Sequence, residues 1–318
     1  MIRSVTVIFA LLVSSRAFAA AESPVRVFVL AGQSNMVGAG QVKANPDRND
    51  GAGSLEWLVE KSPDRRRYAH LRNADGSWAE RDDVRIWFLG RKGALRPGFG
   101  SNEGTIGPEL GFGTVVGDAF DEPVLLVKVA WGGKAIGKEF RPPSSGGEVG
   151  AEYRMLVDAV KKVMADPAAE FPELAGRDFE LMGVGWHQGW NDRVNQAFND
   201  AYEENLSNLI RDLRKELEDP DLPFVIAETG MSGPDEKHPR AVSLMAAQKA
   251  VAARPEFRGT VAFVPTQRFW RDETVSPSRQ GYHWNSNAET YYLIGDGMGR
   301  SMLELVRRGG GDPRFDAR

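Results

Sequence analysis

Apolar positions along this chain repeat with two periods, and the change from one to the other marks its elements. Short, nearly unbroken apolar runs at 25–32, 123–130, 179–186, 223–227 and 260–264 predict strands. The run at 123–130 is too apolar on both faces for an exposed strand. Between these runs the spacing turns helical. The segment 150–164 places Tyr153, Leu156, Val157, Val160 and Val163 on one face, and 194–217 does the same with Phe198, Tyr202, Leu206, Leu209, Ile210, Leu213 and Leu217. Further helices are expected at 107–118, with Pro108 near the first position, at 240–253 and at 287–306. Strand and helix alternate five times. That predicts an α/β fold, a three-layer α/β/α sandwich around a central parallel sheet, with active residues at the carboxyl ends of the strands.

Three stretches stand outside this rhythm. Residues 41–101 are crowded with turn signals such as Asn49-Asp50-Gly51 and Asp75-Gly76. They are expected to form an irregular insertion near the site, packed by Trp57, Trp78, Trp87, Phe88 and Phe99. Residues 1–21 have a short basic start, an apolar core from Val5 to Val13 and small residues at 17–21, the layout of a secretory signal peptide. Residues 309–318 are expected to be a mobile tail. A single domain over 22–308 is left, with no second domain, repeat or linker.

Composition narrows the chemistry. The chain has 318 residues, no cysteine and a formal net charge of −4. Thiol catalysis and cysteine-ligated metals are excluded, and the mixed charges give no sign of a nucleic-acid or anionic-membrane partner. After signal removal no segment is expected to span a membrane.

The chemistry-bearing residues follow predicted strands. After the first comes Gly32-Gln33-Ser34-Asn35-Met36-Val37-Gly38, a serine on a turn at the sheet edge. A lone serine in this position usually caps a helix. After the second comes Trp131-Gly132-Gly133, whose bare backbone N–H groups are raw material for an oxyanion hole or simply a glycine turn. After the third comes Trp186-His187-Gln188-Gly189-Trp190-Asn191-Asp192. The amide of Gln188 can donate to a negative oxygen without titrating.

The string Gly-Gln-Ser-Asn-Met resembles the first block of the SGNH-hydrolase superfamily, in its sialate O-acetylesterase-like branch related to carbohydrate esterase family 6 and acetylxylan esterases. The resemblance covers essentially the whole mature chain in block order. It implies an SGNH, flavodoxin-like sheet and makes Ser34 the nucleophile. It also implies an oxyanion hole built from Ser34, a glycine amide (Gly133 before Gly132) and Gln188. Gln33 and Asn191 are further candidates. Asn191 belongs to a literal Gly-x-Asn-Asp string but ranks below Gln188, because the Trp-x-Gln-Gly frame fits better. Trp190 stands where the family usually has glutamate. Asp192 is expected to cap a helix, and His187 to be structural or substrate-lining.

The family's last block, Asp-x-x-His, resembles Gln280-Gly281-Tyr282-His283 and implies that His283 is the base. Gln280 replaces the aspartate, and glutamine cannot carry the charge that steadies an imidazolium. A Ser34–His283 dyad, or an acid from Asp272, Glu228 or Glu289, remains open. His70 and His238 lie in polar contexts and are expected to be surface or packed residues without a catalytic role.

The expectation is therefore a serine esterase removing O-acetyl groups from carbohydrate, polysaccharide or sialic acid, through a covalent acetyl-enzyme. It requires neither a metal nor an organic cofactor and works in the periplasm or outside the cell. The alternative is a weak or inactive carbohydrate-binding protein on the same scaffold.

Overall fold

The computed structural model describes residues 23–311; the segment 1–21 expected to be a signal peptide and the residues beyond 311 lie outside the described residues. The described strands are β1 (Val25–Gly32), β2 (Gly40–Gln41), β3 (Arg81–Phe88), β4 (Arg91–Leu95), β5 (Thr105–Ile106), β6 (Val124–Ala130), β7 (Phe179–His187), β8 (Phe224–Ala227) and β9 (Val261–Val264). Seven form one sheet in the order β4-β3-β6-β1-β7-β8-β9. All neighbours in it are parallel except β3 and β4, which pair antiparallel at one edge.

Alternation along the strands divides the interior into two layers. In β6, Leu126 and Ala130 face a core shared with helices Glu109–Ala119 and Ala288–Arg308. Leu125, Val127 and Val129 face the other, shared with helices Ala151–Ala165, Tyr202–Glu216 and Pro239–Ala253. The sheet is thus apolar on both faces, and each fully buried aliphatic side chain adds about 1.5–3 kcal/mol. Helices Glu109–Ala119 and Ala288–Arg308 meet closely because glycine stands at their crossing: a Cβ on Gly111 would lie 2.8 Å from the Asp296 nitrogen. The three-layer α/β/α sandwich is the one the alternation predicts.

Two expectations need correcting. The 41–101 region is not irregular throughout, because its later part supplies β3 and β4 to the main sheet. Val84, Ile86 and Phe88 alternate into the core there, a strand signal masked by the polar start at Arg81-Asp82-Asp83 and the nearby turn residues. The helix expected at 194–217 is broken into Gln196–Asp200 and Tyr202–Glu216, with the separate turn Trp190–Arg193 before it. Asn195 starts the first piece afresh by capping it, its side chain accepting from Phe198 N–H at 3.2 Å. Among the described residues no helix is long and apolar enough to cross a membrane.

Candidate active site

The sheet order sets β6, β1 and β7 side by side, so the loops that follow them share one edge. The ends are tied by backbone bonds: Gln33 N–H donates to the His187 carbonyl at 3.2 Å, and Trp131 N–H to that of Gly32 at 3.3 Å. Ser34 opens the helical turn Ser34–Val37, so its own N–H has no partner within that turn. It is partly exposed, while Gln33 and Asn35 on either side are each only 2% exposed.

Those two amides explain the string around the serine. Gln33 Oε1 accepts from Gly189 N–H at 3.0 Å and Asn191 N–H at 3.4 Å, and Gln33 Nε2 donates to Asn191 Oδ1 at 3.3 Å. Asn35 Nδ2 donates to the Tyr282 carbonyl at 3.0 Å, and Asn35 Oδ1 accepts from Tyr291 Oη at 2.8 Å. One neighbour of Ser34 therefore fixes the loop after β7, and the other fixes the loop that carries His283.

That second loop is strained. Trp284, Asn285 and Ser286, directly after His283, have φ of 51°, 53° and 56°. Left-handed backbone at non-glycine residues costs on the order of 1–3 kcal/mol each and persists only where the surroundings over-determine it. Here they do. Trp284 is fully buried, its ring 6.3 Å from His187 and 6.2 Å from Trp270. Asn285 N–H donates to the Gln280 carbonyl at 3.1 Å, and its side chain to that of Arg271 at 3.1 Å. His283 itself is partly exposed, and burial pushes its pKa below the ordinary histidine value.

None of the three candidate acids hydrogen-bonds His283. The exposed Asp272 carboxylate accepts from Thr274 N–H at 3.0 Å and Thr274 Oγ1 at 2.7 Å. Glu228 is buried and accepts from the N–H groups of Thr266 and Gln267 at 2.8 and 3.1 Å. Glu289 accepts from Arg271 at 2.6 Å and Tyr68 Oη at 2.9 Å. Gln280 is exposed, and its carbonyl accepts from His283 N–H at 2.7 Å.

The amides on the donor side of the site differ in how far they are engaged. Gln188 is 1% exposed, and its Nε2 faces Asp192 Oδ2 at 2.6 Å, the Lys134 carbonyl at 2.9 Å and Gln33 Oε1 at 3.3 Å. Two amide hydrogens are committed to three acceptors, so none is left for a substrate. Asn191 is partly exposed, its Oδ1 is held by Gln33, and its Nδ2 makes no hydrogen bond among the described residues. Of the two glycines after β6, Gly132 lies nearer the serine, since a Cβ there would lie 3.9 Å from Ser34 Cβ. Gly133, with φ of 70°, makes the left-handed corner of the turn and has open space around it.

Asp192 is not a helix cap. Its buried carboxylate accepts from the N–H groups of Ile136 and Gly137 at 2.9 and 2.8 Å as well as from Gln188, joining the loops after β6 and β7. Burial pushes its pKa up to about 6, against these hydrogen bonds. His187 is structural: it is buried, its Nδ1 lies 3.2 Å from the Ala227 carbonyl, and burial lowers its pKa to about 4. His70 and His238 are exposed, as expected. A cavity of about 1040 Å³ lined by Arg67, His70, Thr114 and Tyr292 includes neither Ser34 nor His283.

Sequence reasoning missed one member of the architecture. Lys128, in the middle of the apolar strand β6, is fully buried beneath the serine turn. Its ammonium donates to the carbonyls of Val37 at 2.7 Å and Phe99 at 2.8 Å and pairs with Glu109 at 2.6 Å. A lone lysine within an otherwise unbroken apolar run was the available signal.

The fold is thus a three-layer α/β/α sandwich with Ser34 following β1 and Asn191 following β7 at the carboxyl edge of its sheet. The family model described as "Carbohydrate esterase, sialic acid-specific acetylesterase" matches residues 24–291, and the chain belongs to that family. It is therefore a carbohydrate acetylesterase by family. Among solved structures it is similar to a protein from Arabidopsis thaliana, at 19% identity and TM-score 0.58 over 88% of this chain and 98% of that one. It is also similar to a carbohydrate acetylesterase from Xanthomonas citri, at 15% identity and TM-score 0.53 over 88% of this chain and 56% of that one. At these identities the likeness concerns the fold. No curated protein matches the sequence.

Proposed function

We propose that the protein removes O-acetyl groups from carbohydrate by a Ser34–His283 dyad acting through an acetyl-enzyme. The observation that carries this reading is the position of Ser34 between two buried amides, each fixing a different loop of the site. Ser34 Oγ attacks the acetyl carbonyl while His283 accepts its proton. The bond between the acetyl carbon and the sugar oxygen then breaks, and His283 returns the proton to the departing sugar oxygen. Water, deprotonated by the same imidazole, releases acetate and frees Ser34.

The tetrahedral oxyanion is held by Ser34 N–H, the Gly132 backbone and Asn191 Nδ2. Asn191 replaces Gln188 because the Gln188 amide is spent on Asp192, Lys134 and Gln33. Gly132 replaces Gly133 because it lies against the serine. We further propose that the chain is exported on its 1–21 segment. Amino-terminal sequencing of the protein recovered outside the cytoplasm tests this, and an intact Met1 there would refute cleavage.

The test of the mechanism is hydrolysis of p-nitrophenyl acetate and acetylated xylan by the mature chain beside Ser34→Ala and His283→Ala. Loss in both variants is expected. Turnover no greater than that of the variants would sink the esterase mechanism and leave a carbohydrate-binding protein.

A further inference from the structure

We propose that Tyr282 and Trp190 form an aromatic wall that receives the sugar ring carrying the acetyl group; the proposal rests on the esterase reading above. Tyr282 is 44% exposed and is the one aromatic side chain in the exposed class among the described residues. It is also the residue before the base, with its ring 4.6 Å from that of His283 at 61°. Its other neighbour is Trp190, centroid to centroid 5.7 Å and tilted by 42°.

Both rings are held in place. The Tyr282 carbonyl accepts from Asn35 at 3.0 Å. Trp190 has the Arg193 guanidinium 4.3 Å from its ring centre, and Arg193 pairs in turn with Glu236 at 3.8 Å. Trp190 is partly buried against the core, whereas the exposed Tyr282 ring gains little burial there, so its ordering beside the reacting centre is explained by what it can bind. A sugar ring offers a face of C–H groups that packs on an aromatic face while its hydroxyls stay in water. A ring seated on Tyr282 would present its ester toward His283 and Ser34. Trp190 occupies the position where the resembled family has glutamate, so this chain has an aromatic surface where a carboxylate is usual.

The experiment compares kcat/KM for an acetylated xylooligosaccharide and for ethyl acetate, which has no ring, in the wild type, Tyr282→Ala, Tyr282→Phe and Trp190→Ala. In the two alanine variants the ratio of sugar ester to ethyl acetate is expected to fall about tenfold, mostly through KM, and Tyr282→Phe is expected to restore it. Equal losses on both esters, or no loss on either, would overturn the wall while leaving the esterase standing. A wild type active on ethyl acetate but on no acetylated sugar would overturn the wall together with the carbohydrate reading. A wild type inactive on both would overturn the mechanism itself.

Discussion

Asn35 donates its side-chain amide to the Tyr282 carbonyl at 3.0 Å, a bond between the residue after the proposed nucleophile Ser34 and the residue before the proposed base His283. The geometry of Ser34 and His283 therefore depends on a side chain that touches neither reacting atom. Asn35→Ala is expected to lower kcat/KM about 10- to 100-fold, since small misplacements of catalytic groups cost on that order. Loss of a buried, twice-bonded amide should also cost about 1–3 kcal/mol of stability. Kinetics on p-nitrophenyl acetate with urea unfolding checks both, and an Asn35→Ala enzyme of unchanged kcat/KM would refute the coupling.

The oxyanion assignment separates two adjacent amides. Asn191→Ala is expected to lower kcat about 10²- to 10³-fold with KM little changed, the cost of one lost oxyanion donor. Gln188→Ala should act first on stability, because Asp192 Oδ2 loses a donor at 2.6 Å inside the protein. Steady-state kinetics and melting curves of the pair decide the matter. The opposite pattern, with Gln188→Ala well folded but catalytically dead, would return the role to Gln188.

The sequence made the layered sheet legible because its buried strands carry unbroken apolar runs and its helices carry single apolar stripes. It also singled out Ser34, Gln188 and His283, which follow β1, follow β7 and precede the last helix, with Asn191 ranked below Gln188. What it left ambiguous depended on contacts between distant segments. Gln188 and Asn191 offer the same functional group, and only the three-dimensional positions of Asp192, Lys134 and Gln33 show which amide is occupied. β3 was hidden for a different reason: its three alternating apolar residues sit among turn-forming neighbours, and pairing with β6 overrides the local preference.

Lys128 and Glu109 test how the serine turn is supported. Both side chains are fully buried, and the second Glu109 oxygen accepts from Gly107 N–H at 2.8 Å. Lys128→Met leaves a buried carboxylate without its cation and is expected to cost about 3–5 kcal/mol. Adding Glu109→Gln removes that charge and should recover part of the loss. Urea unfolding of the single and double variants measures it, and a double variant no more stable than Lys128→Met alone would contradict the pairing.

The acid limb of activity should follow His283. The imidazole must be neutral to accept the Ser34 proton, and burial lowers its pKa with no carboxylate bonded to raise it. The midpoint of the kcat/KM rise with pH is therefore expected below the ordinary histidine value of about 6.5. A midpoint above that value would reveal a carboxylate acting on the imidazole.

His187 should set a pH dependence of stability distinct from that of activity. Burial holds its pKa at about 4 in the folded protein, against about 6.5 when unfolded. Between these values the unfolded chain binds the extra proton, so this contribution is fully present above pH 6.5 and is lost as pH falls toward 4. The shift corresponds to about 3 kcal/mol. Asp192 acts in the opposite sense, because a carboxyl raised to about 6 gives stability that is lost as pH rises from its ordinary value through 6. The raw curve therefore mixes opposing terms from several groups, and the comparison with His187→Gln isolates this one. Wild type is expected to lose about 3 kcal/mol more than the variant between pH 7 and pH 4, measured by urea unfolding. Parallel curves for the two proteins would show that His187 takes up its proton without unfolding the chain.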